Sequence, residues 1–327
     1  MIRFCRSSTI KPGRVIGFAL FLLAAVFPVE GFPSSRSAVG LDGKYSGKQG
    51  QILVVKVPTD EDTARVQGTF LGRTVRFFPD TRPGEAKGFV GLLGIDLQDE
   101  PGPHELAVQI TSGEHSRSLT YRVEVGKEKF RVEHLKLPKD KVDLDEQGLA
   151  RWKAEQEQVK EALAADSHSK LWQPSFVEPV SGKRTGIFGS VRIMNGQARN
   201  PHNGEDIGAP TGTDVAATND GIVRLTVDHI FSGKGIFLDH GLGFYSMYFH
   251  LSEVLVKEGE AVKAGQVIGK VGATGRATGP HLHWGVKLNG ARVNPYALLE
   301  LPFKSEAQTA IPSADPDAGA AAGAHAP

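Results

Sequence analysis

The sequence predicts a mainly β protein, in which two β regions are joined by one helix. Short apolar stretches alternate with polar residues through most of the chain, and many of them end at one of its 39 glycines. One stretch, from about Asp145 to Ala165, instead has apolar residues at helical spacing. We therefore expect an N-terminal Ig-like β-sandwich, a connecting helix and a C-terminal antiparallel β domain.

The N-terminal region carries a series of short strands separated by glycine and proline turns. The predicted strands are Gln51–Val57, two within Arg65–Phe78 that break near Leu71, Phe89–Leu97, one around Leu106 to Ile110, and one around Leu119 to Val125. No set of residues in this region suggests catalysis or metal binding. We place the sandwich at residues 40–127.

A charged linker and the helix follow at residues 128–171. The apolar stripe of the helix consists of Leu149, Trp152, Val159 and Leu163. The simpler interpretation is a spacer helix that packs on a neighbouring domain. The alternative is a regulatory helix that covers the functional site of the second domain.

The N-terminus has the pattern of a signal peptide, predicted at residues 1–31. Basic residues up to Arg14 precede an apolar run from Val15 to Val29. This run is shorter than the roughly 20 residues that a membrane-spanning helix needs. Cleavage after Gly31 would release the mature chain, and an uncleaved N-terminal anchor is the alternative. No later apolar run is long enough to span a bilayer, so we expect an exported protein.

Charge and cysteine content exclude several classes of function. The net charge is +1 and no basic stripe is present, so we expect no nucleic-acid partner. The one cysteine, Cys5, lies in the predicted signal peptide. The mature chain would therefore have no disulfide, no cysteine nucleophile and no thiolate metal ligand.

The second region contains a pattern typical of a metal site. Six of the 11 histidines lie between residues 202 and 283. His281 and His283 stand two apart in a predicted strand and so point to the same face, whereas Leu282 and the alternate residues after it are apolar. His202, Asp206 and one of His281 and His283 would give the mixed nitrogen and oxygen ligand set of a catalytic Zn²⁺ site. We expect the glycine between the first two ligands to let the backbone turn so that they converge.

These residues stand in motifs that resemble those of lysostaphin/LytM-type zinc metallopeptidases, which cut peptide bonds in bacterial peptidoglycan. The motifs are His202-x-Gly204-x-Asp206, Tyr248-Phe249-His250-Leu251 and Gly279-Pro280-His281-Leu282-His283-Trp284. The resemblance covers about Trp172 to Leu299, and we place the metallopeptidase domain at residues 172–301. The low-complexity tail, residues 302–327, is predicted to be disordered.

The resemblance implies a role for each residue of the motifs. His202, Asp206 and His283 would bind Zn²⁺, His281 would be the general base, and His250 would be a second catalytic histidine. Glu205 departs from the family, which usually has an aliphatic residue there. The substrate would be the peptide of peptidoglycan, and any regulatory partner is unknown. The alternative function is a catalytically inactive relative that binds the cell wall or activates an amidase.

Four further residues near the motifs receive weaker predictions. His240 is expected to make a structural hydrogen bond, and His229 is expected to lie in a solvated loop. Arg192 and Asn195 precede the first predicted ligand and are expected to line the substrate groove.

Overall fold

The structure, a computed structural model, describes residues 43–60, 63–82, 85–136, 144–164 and 167–303. These residues are mainly β-strand with one α-helix, which confirms the predicted fold class. Within them, no helix is long and apolar enough to cross a membrane. The predicted signal peptide and most of the predicted disordered tail lie outside the described residues.

The N-terminal region contains seven strands, joined by hydrogen bonds in the order β1-β7-β6-β3-β4-β5-β2. They are β1 Lys44–Lys48, β2 Ile52–Pro58, β3 Arg65–Phe70, β4 Arg73–Pro79, β5 Gly88–Gly94, β6 Gly102–Ser112 and β7 His115–Gly126. Strand β4 pairs with β3 through Arg73 to Arg76 and with β5 through Phe77 to Pro79. The apolar side chains of these strands enclose one core, and the Ig-like arrangement of the strands stays a prediction.

The C-terminal region is built on a larger, antiparallel sheet whose main path is β17-β14-β15-β16-β19-β12-β9. The remaining strands are β8 Val132–Leu135, β9 Lys183–Gly186, β10 Val191–Met194, β11 Gln197–Ala198, β12 Gly204–Gly208, β13 Asp214–Ala216, β14 Gly221–His229, β15 Gly233–Gly241, β16 Phe244–Val254, β17 Ala261–Val262, β18 Val267–Val271, β19 His281–Leu288 and β20 Ala291–Val293. A 3₁₀ helix spans Pro295–Leu298. Strand β19 lies centrally, between β16 and β12.

The two β regions share strands β2 and β5 as a common wall. Leu53 and Val55 of β2 point into the N-terminal core, whereas Ile52 and Val54 point into the core of the C-terminal region. This follows from the period of two in a strand, because both faces of β2 are apolar. The sequence of β2 therefore allows both of its faces to be buried.

Helix α1, Glu146–Ala164, packs on the C-terminal sheet. It begins after Asp145, whose side chain accepts a hydrogen bond from the amide of Gly148 at 2.7 Å. Val159, Ala162 and Leu163 pack on a patch formed by Leu225, Val227, Phe237 and Met247. Leu149, at the start of the predicted stripe, is exposed. Met247 pairs with Gly285 of β19 and Phe249 pairs with His283, so α1 covers the sheet face that also carries His283. The helix therefore packs on a neighbouring β region as predicted, beside the predicted site.

The prediction for His229 is wrong. This residue ends β14 and is buried, and its Nε2 lies 3.0 Å from Oε1 of Gln158 on α1. The Asp-His-Ile sequence resembles a loop, but the docked helix buries it. Glu155 of the helix accepts a hydrogen bond from the amide of Ile230 at 3.0 Å, next to His229 in the chain.

Candidate metal centre

Three of the predicted site residues have their potential metal-ligating atoms close together. Asp206 on β12 lies opposite His283 on β19 in the strand pairing, and His202 stands just before β12. Oδ1 of Asp206 is 3.0 Å from Nε2 of His202 and 2.9 Å from Nδ1 of His283, and the two nitrogens are 3.0 Å apart. These three residues form a group whose geometry can hold a metal ion.

Backbone carbonyls orient His202 and His281. Nδ1 of His202 lies 3.1 Å from the carbonyl oxygen of Ile187, and Nδ1 of His281 lies 2.8 Å from that of Gly279. A carbonyl only accepts, so each Nδ1 carries the proton and each Nε2 keeps its lone pair. An unprotonated Nε2 is the form of an imidazole that can bind a metal or accept a proton.

His250 faces His281 from strand β16. The centres of the two rings are 4.7 Å apart, and Nδ1 of His250 donates to the carbonyl of Thr274 at 2.8 Å. Its backbone has a φ of 62°, a conformation that costs a residue with a side chain free energy and is concentrated at functional sites. Nε2 of His281 is 3.8 Å from Oδ1 of Asp206. The structure thus brings together all five residues predicted from the motifs.

Two glycines provide the space that this cluster needs. A Cβ on Gly204 would lie 2.6 Å from Nε2 of His283 and 2.5 Å from the carbonyl oxygen of Trp284. A Cβ on Gly186 of β9 would lie 2.2 Å from Oδ2 of Asp206. The expected reason for Gly204, a special backbone turn, is wrong, because Gly204 lies within β12 and is not among the residues with positive φ. Its role is to let the imidazole of His283 lie against the backbone.

The electrostatics of the cluster favour an ionised Asp206 and a neutral His250 and His283. Burial opposes ionisation of Asp206, but the neighbouring imidazoles of His202 and His283 hold the pKa of its carboxyl well below the usual range. Burial, together with the neighbouring His283 and His281, lowers the pKa of His250 to about 3. Burial also lowers the pKa of His283. Neutral imidazoles and one carboxylate are the protonation states that a zinc site requires.

Arg192 takes a more direct part than lining a groove. Its guanidinium donates to Oδ2 of Asp206 at 2.8 Å, so the carboxylate is held on both oxygens. When a neighbouring group fixes one carboxylate oxygen, the orientation of the other oxygen is fixed as well. Asn195 has a φ of 50° in the turn that links β10 to β11.

Glu205, the departure from the family pattern, forms a buried ion pair. Its side chain is fully buried and accepts hydrogen bonds from Arg184 of β9, one of them at 3.1 Å. Arg184 in turn lies over the ring of Tyr296, with its guanidinium carbon 4.4 Å from the ring centre. The carboxylate points away from Asp206 because successive side chains of a strand alternate.

His240 is structural, as predicted. It is buried, with Nδ1 2.7 Å from the carbonyl oxygen of Asp220 and Nε2 2.7 Å from the hydroxyl of Ser246. Burial lowers its pKa to about 4. Thr274 and Gly186 could not be predicted from the sequence. Their contributions are a backbone carbonyl and an absent side chain, and neither leaves a signal in residue chemistry.

The donor set fits Zn²⁺. Two imidazole nitrogens and one carboxylate oxygen are the ligand types that catalytic zinc sites use, with a further position left for water. Metal ligands are typically oriented by a hydrogen bond from their other polar atom. His202 has such a contact through Nδ1 to Ile187, and Asp206 has one through Oδ2 to Arg192.

The segment that carries this site is similar to known peptidases. Residues 200–295 match the family model of peptidase family M23. ShyA, a peptidoglycan DD-endopeptidase of Vibrio cholerae, is 46% identical over 94 residues, which are 29% of this chain and 22% of ShyA. Mpg, a DD-carboxypeptidase/endopeptidase of Neisseria meningitidis, is 41% identical over 110 residues, 33% of this chain and 25% of Mpg. The match thus spans a quarter or less of either curated relative.

A solved structure is similar over a much larger part. The crystal structure of a candidate M23 peptidase from Pseudomonas aeruginosa is 32% identical, with a TM-score of 0.61. The similarity covers 77% of this chain and 94% of that chain, so it extends well beyond the segment with the histidines.

Proposed function

Since the chain belongs to peptidase family M23, we propose that it is an exported, zinc-dependent endopeptidase that hydrolyses peptide bonds in bacterial peptidoglycan. The observation that carries the proposal is the convergence of His202, Asp206 and His283, with His281 and His250 beside them. The relatives ShyA and Mpg, which are named for such activities, support the choice of substrate. A peptidoglycan substrate also places the protein outside the cytoplasmic membrane, in the periplasm or beyond.

His202, Asp206 and His283 hold the metal in this proposal. A Zn²⁺ ion held there would lower the pKa of a coordinated water and polarise the scissile carbonyl. Arg192 fixes the second oxygen of Asp206, and the carbonyl of Ile187 keeps Nε2 of His202 unprotonated.

His281 is the general base. Its Nδ1 proton is fixed on the carbonyl of Gly279, so its Nε2 accepts the proton of the attacking water and then donates it to the leaving amine. His250 is positioned across from it, in the same tautomer. In our proposal the unprotonated Nε2 of His250 accepts a hydrogen bond from the attacking water and helps to hold it in place.

Digestion of purified sacculi by the full chain tests the proposal. We expect the turbidity of the sacculi to fall with the zinc-loaded protein and to stay constant when a chelator is added. His281→Ala is the matched variant, because it leaves the three proposed ligands in place. An intact sacculus beside cleavage of a folded protein substrate would instead indicate a different class of zinc hydrolase.

A further inference from the structure

Arg276 stands on the segment that leads directly into the candidate metal centre. The segment connects β18 to β19, so Arg276 precedes His281 by five residues. Its backbone amide donates to the carbonyl of Phe231 at 2.8 Å. The preceding Gly275 packs so closely that its Cβ would lie 2.4 Å from the amide nitrogen of Gly233. The backbone of the segment is therefore held in place at Gly275 and Arg276.

The same segment orients the catalytic histidines. The carbonyl of Thr274 accepts the Nδ1 proton of His250, and the hydroxyl of Thr274 donates to the carbonyl of Leu251 at 2.8 Å. Arg276 follows two residues later. A group that binds substrate at this point would thus be held in fixed relation to His250 and His281.

The charge of Arg276 has no counter-ion among the residues that the structure describes. Its guanidinium carbon lies 4.1 Å from the ring centre of Phe231, and no described side chain or carbonyl forms an ion pair or hydrogen bond with the guanidinium. Burial lowers the pKa of Arg276, and the positive charges of Arg192 and Arg199 lower it further. A cation that is partly desolvated and repelled by its neighbours gains free energy when an anion binds.

Two other half-buried arginines have their carboxylate within the protein. Arg292 forms two hydrogen bonds to the carboxylate of Asp96, at 2.6 and 3.0 Å, and Arg184 is paired with Glu205. Arg276 has the same planar guanidinium group. The charged neighbours that affect its pKa are other arginines, among them Arg192, which donates to Asp206. Arginine matches the two oxygens of a carboxylate, so a carboxylate is the ligand that this position favours.

We propose that Arg276 binds a free carboxylate of the substrate, on the residue that supplies the amine of the scissile bond. This inference rests on the proposed function, because it uses the direction of that reaction. His281 gives its proton to the leaving amine, and the segment that carries Arg276 continues into His281. The amine-side residue of the substrate therefore lies beside Arg276. The preferred substrate is a peptide with an acidic group next to the bond that is cut.

Binding to the metal-free full chain tests this without any turnover. The probes are two cross-linked peptides that differ at one group: the amine-side residue carries a free α-carboxylate in one and a carboxamide in the other. We expect the wild type to bind the acid about tenfold more tightly than the amide, the range of one charge-assisted hydrogen-bonded pair. Equal affinity of the wild type for both peptides would overturn the proposal, with no variant needed.

Three variants locate the preference. Arg276→Gln should bind both peptides with equal, weak affinity, and Arg276→Lys should keep part of the preference because it keeps the charge. Arg122→Gln, in the exposed part of β7, is the matched control and should bind as the wild type does. A preference that persists in Arg276→Gln, with a melting temperature like that of the wild type, would assign the carboxylate to another residue.

Hydrolysis of the same two peptides by the zinc-loaded protein separates this inference from the proposed function. We expect Arg276→Gln to raise KM for the acid about tenfold and to leave the amide unchanged. A fall in kcat for both peptides would place Arg276 at the reacting carbonyl and contradict the inference. If the wild type binds the acid preferentially but cleaves no peptidoglycan peptide, the proposed function fails and the carboxylate site stands.

Discussion

Replacement of Gly204 by alanine tests whether the cluster depends on a close approach of backbone and imidazole. The added Cβ would lie 2.5 Å from the carbonyl oxygen of Trp284 and 2.6 Å from Nε2 of His283, whereas ordinary van der Waals contact begins at 3.4 Å. The neighbour that must move is backbone of β19, so β12 and β19 have to separate by about 0.9 Å, the difference between 3.4 and 2.5 Å. Metal–ligand distances in zinc sites lie within about 0.2 Å of their ideal values.

We expect Gly204→Ala to lose about 1–3 kcal/mol of unfolding free energy, the range for overpacking a well-packed site. Metal affinity should fall roughly 10- to 100-fold, as it does when groups that orient a ligand are lost. Urea unfolding of the metal-free protein measures the first effect, and competition with a chromophoric chelator measures the second.

Gly279→Ala is the matched control for this change. Gly279 lies near the same site and has no positive φ, and a Cβ added to it would meet no atom within 4 Å. We expect its stability to stay within about 0.5 kcal/mol of the wild type. Unchanged stability and unchanged metal affinity in Gly204→Ala would refute the packing argument.

Three further predictions concern the charges of the site. Glu205→Leu alone should cost about 3–5 kcal/mol, because it leaves the guanidinium of Arg184 without its carboxylate, whereas the double change with Arg184→Leu should cost far less; chemical unfolding of the four proteins gives the coupling energy. Asp206→Ala should lose both bound zinc and turnover, whereas His281→Ala should keep zinc, measured by metal analysis of the dialysed proteins, and lose turnover; full activity of metal-free Asp206→Ala would contradict the ligand assignment. His250 is neutral in the native state down to about pH 3, whereas in the unfolded chain it binds a proton below about pH 6.5, so the stability of the metal-free protein should fall as the pH drops from about 6.5 to 3, by up to about 1.4 kcal/mol per pH unit. Titration of the unfolding free energy should show a shallower slope in His250→Gln, and equal slopes would exclude this histidine as the source.

Strand β19, which carries the site, could be predicted from the sequence because apolar and polar residues alternate along it. Leu282 and Trp284 are fully buried on one face of β19, and His283 faces Asp206 on the other. Period-two patterns of this kind are local, so they can be read without knowing which strands are neighbours. The break between β3 and β4 at Leu71, which has a φ of 49°, is another local signal that the structure confirms.

Features that depend on distant pairing were not predictable. Strand β1 pairs in parallel with β7, about 78 residues later by the register Lys44 to Arg122, and a strand of five residues carries no sign of that partner. The side chain of Asn289 donates to the carbonyl of Leu92 and Arg292 pairs with Asp96, so the two β regions are joined by polar contacts nearly 200 residues apart in sequence. Each of these depends on the tertiary arrangement.

The site was predicted in its residues but not in what supports them. Histidines and an aspartate at fixed spacing indicate the ligands, because few functions require that combination. The contacts that set their tautomers are backbone carbonyls, such as that of Ile187, which any residue could provide. The place of α1 on the sheet face beside His283 also emerged only from the structure, because an amphipathic stripe does not identify the surface it covers.

Mass spectrometry of the muropeptides released from purified sacculi tests the central claim most directly. The zinc-loaded full chain should convert cross-linked peptides into their separate halves by hydrolysis of one peptide bond. The products should disappear with chelator, return when Zn²⁺ is added, and be missing throughout with Asp206→Ala. Unchanged cross-links with the zinc-loaded wild type, or the same products from protein kept free of metal, would contradict the account.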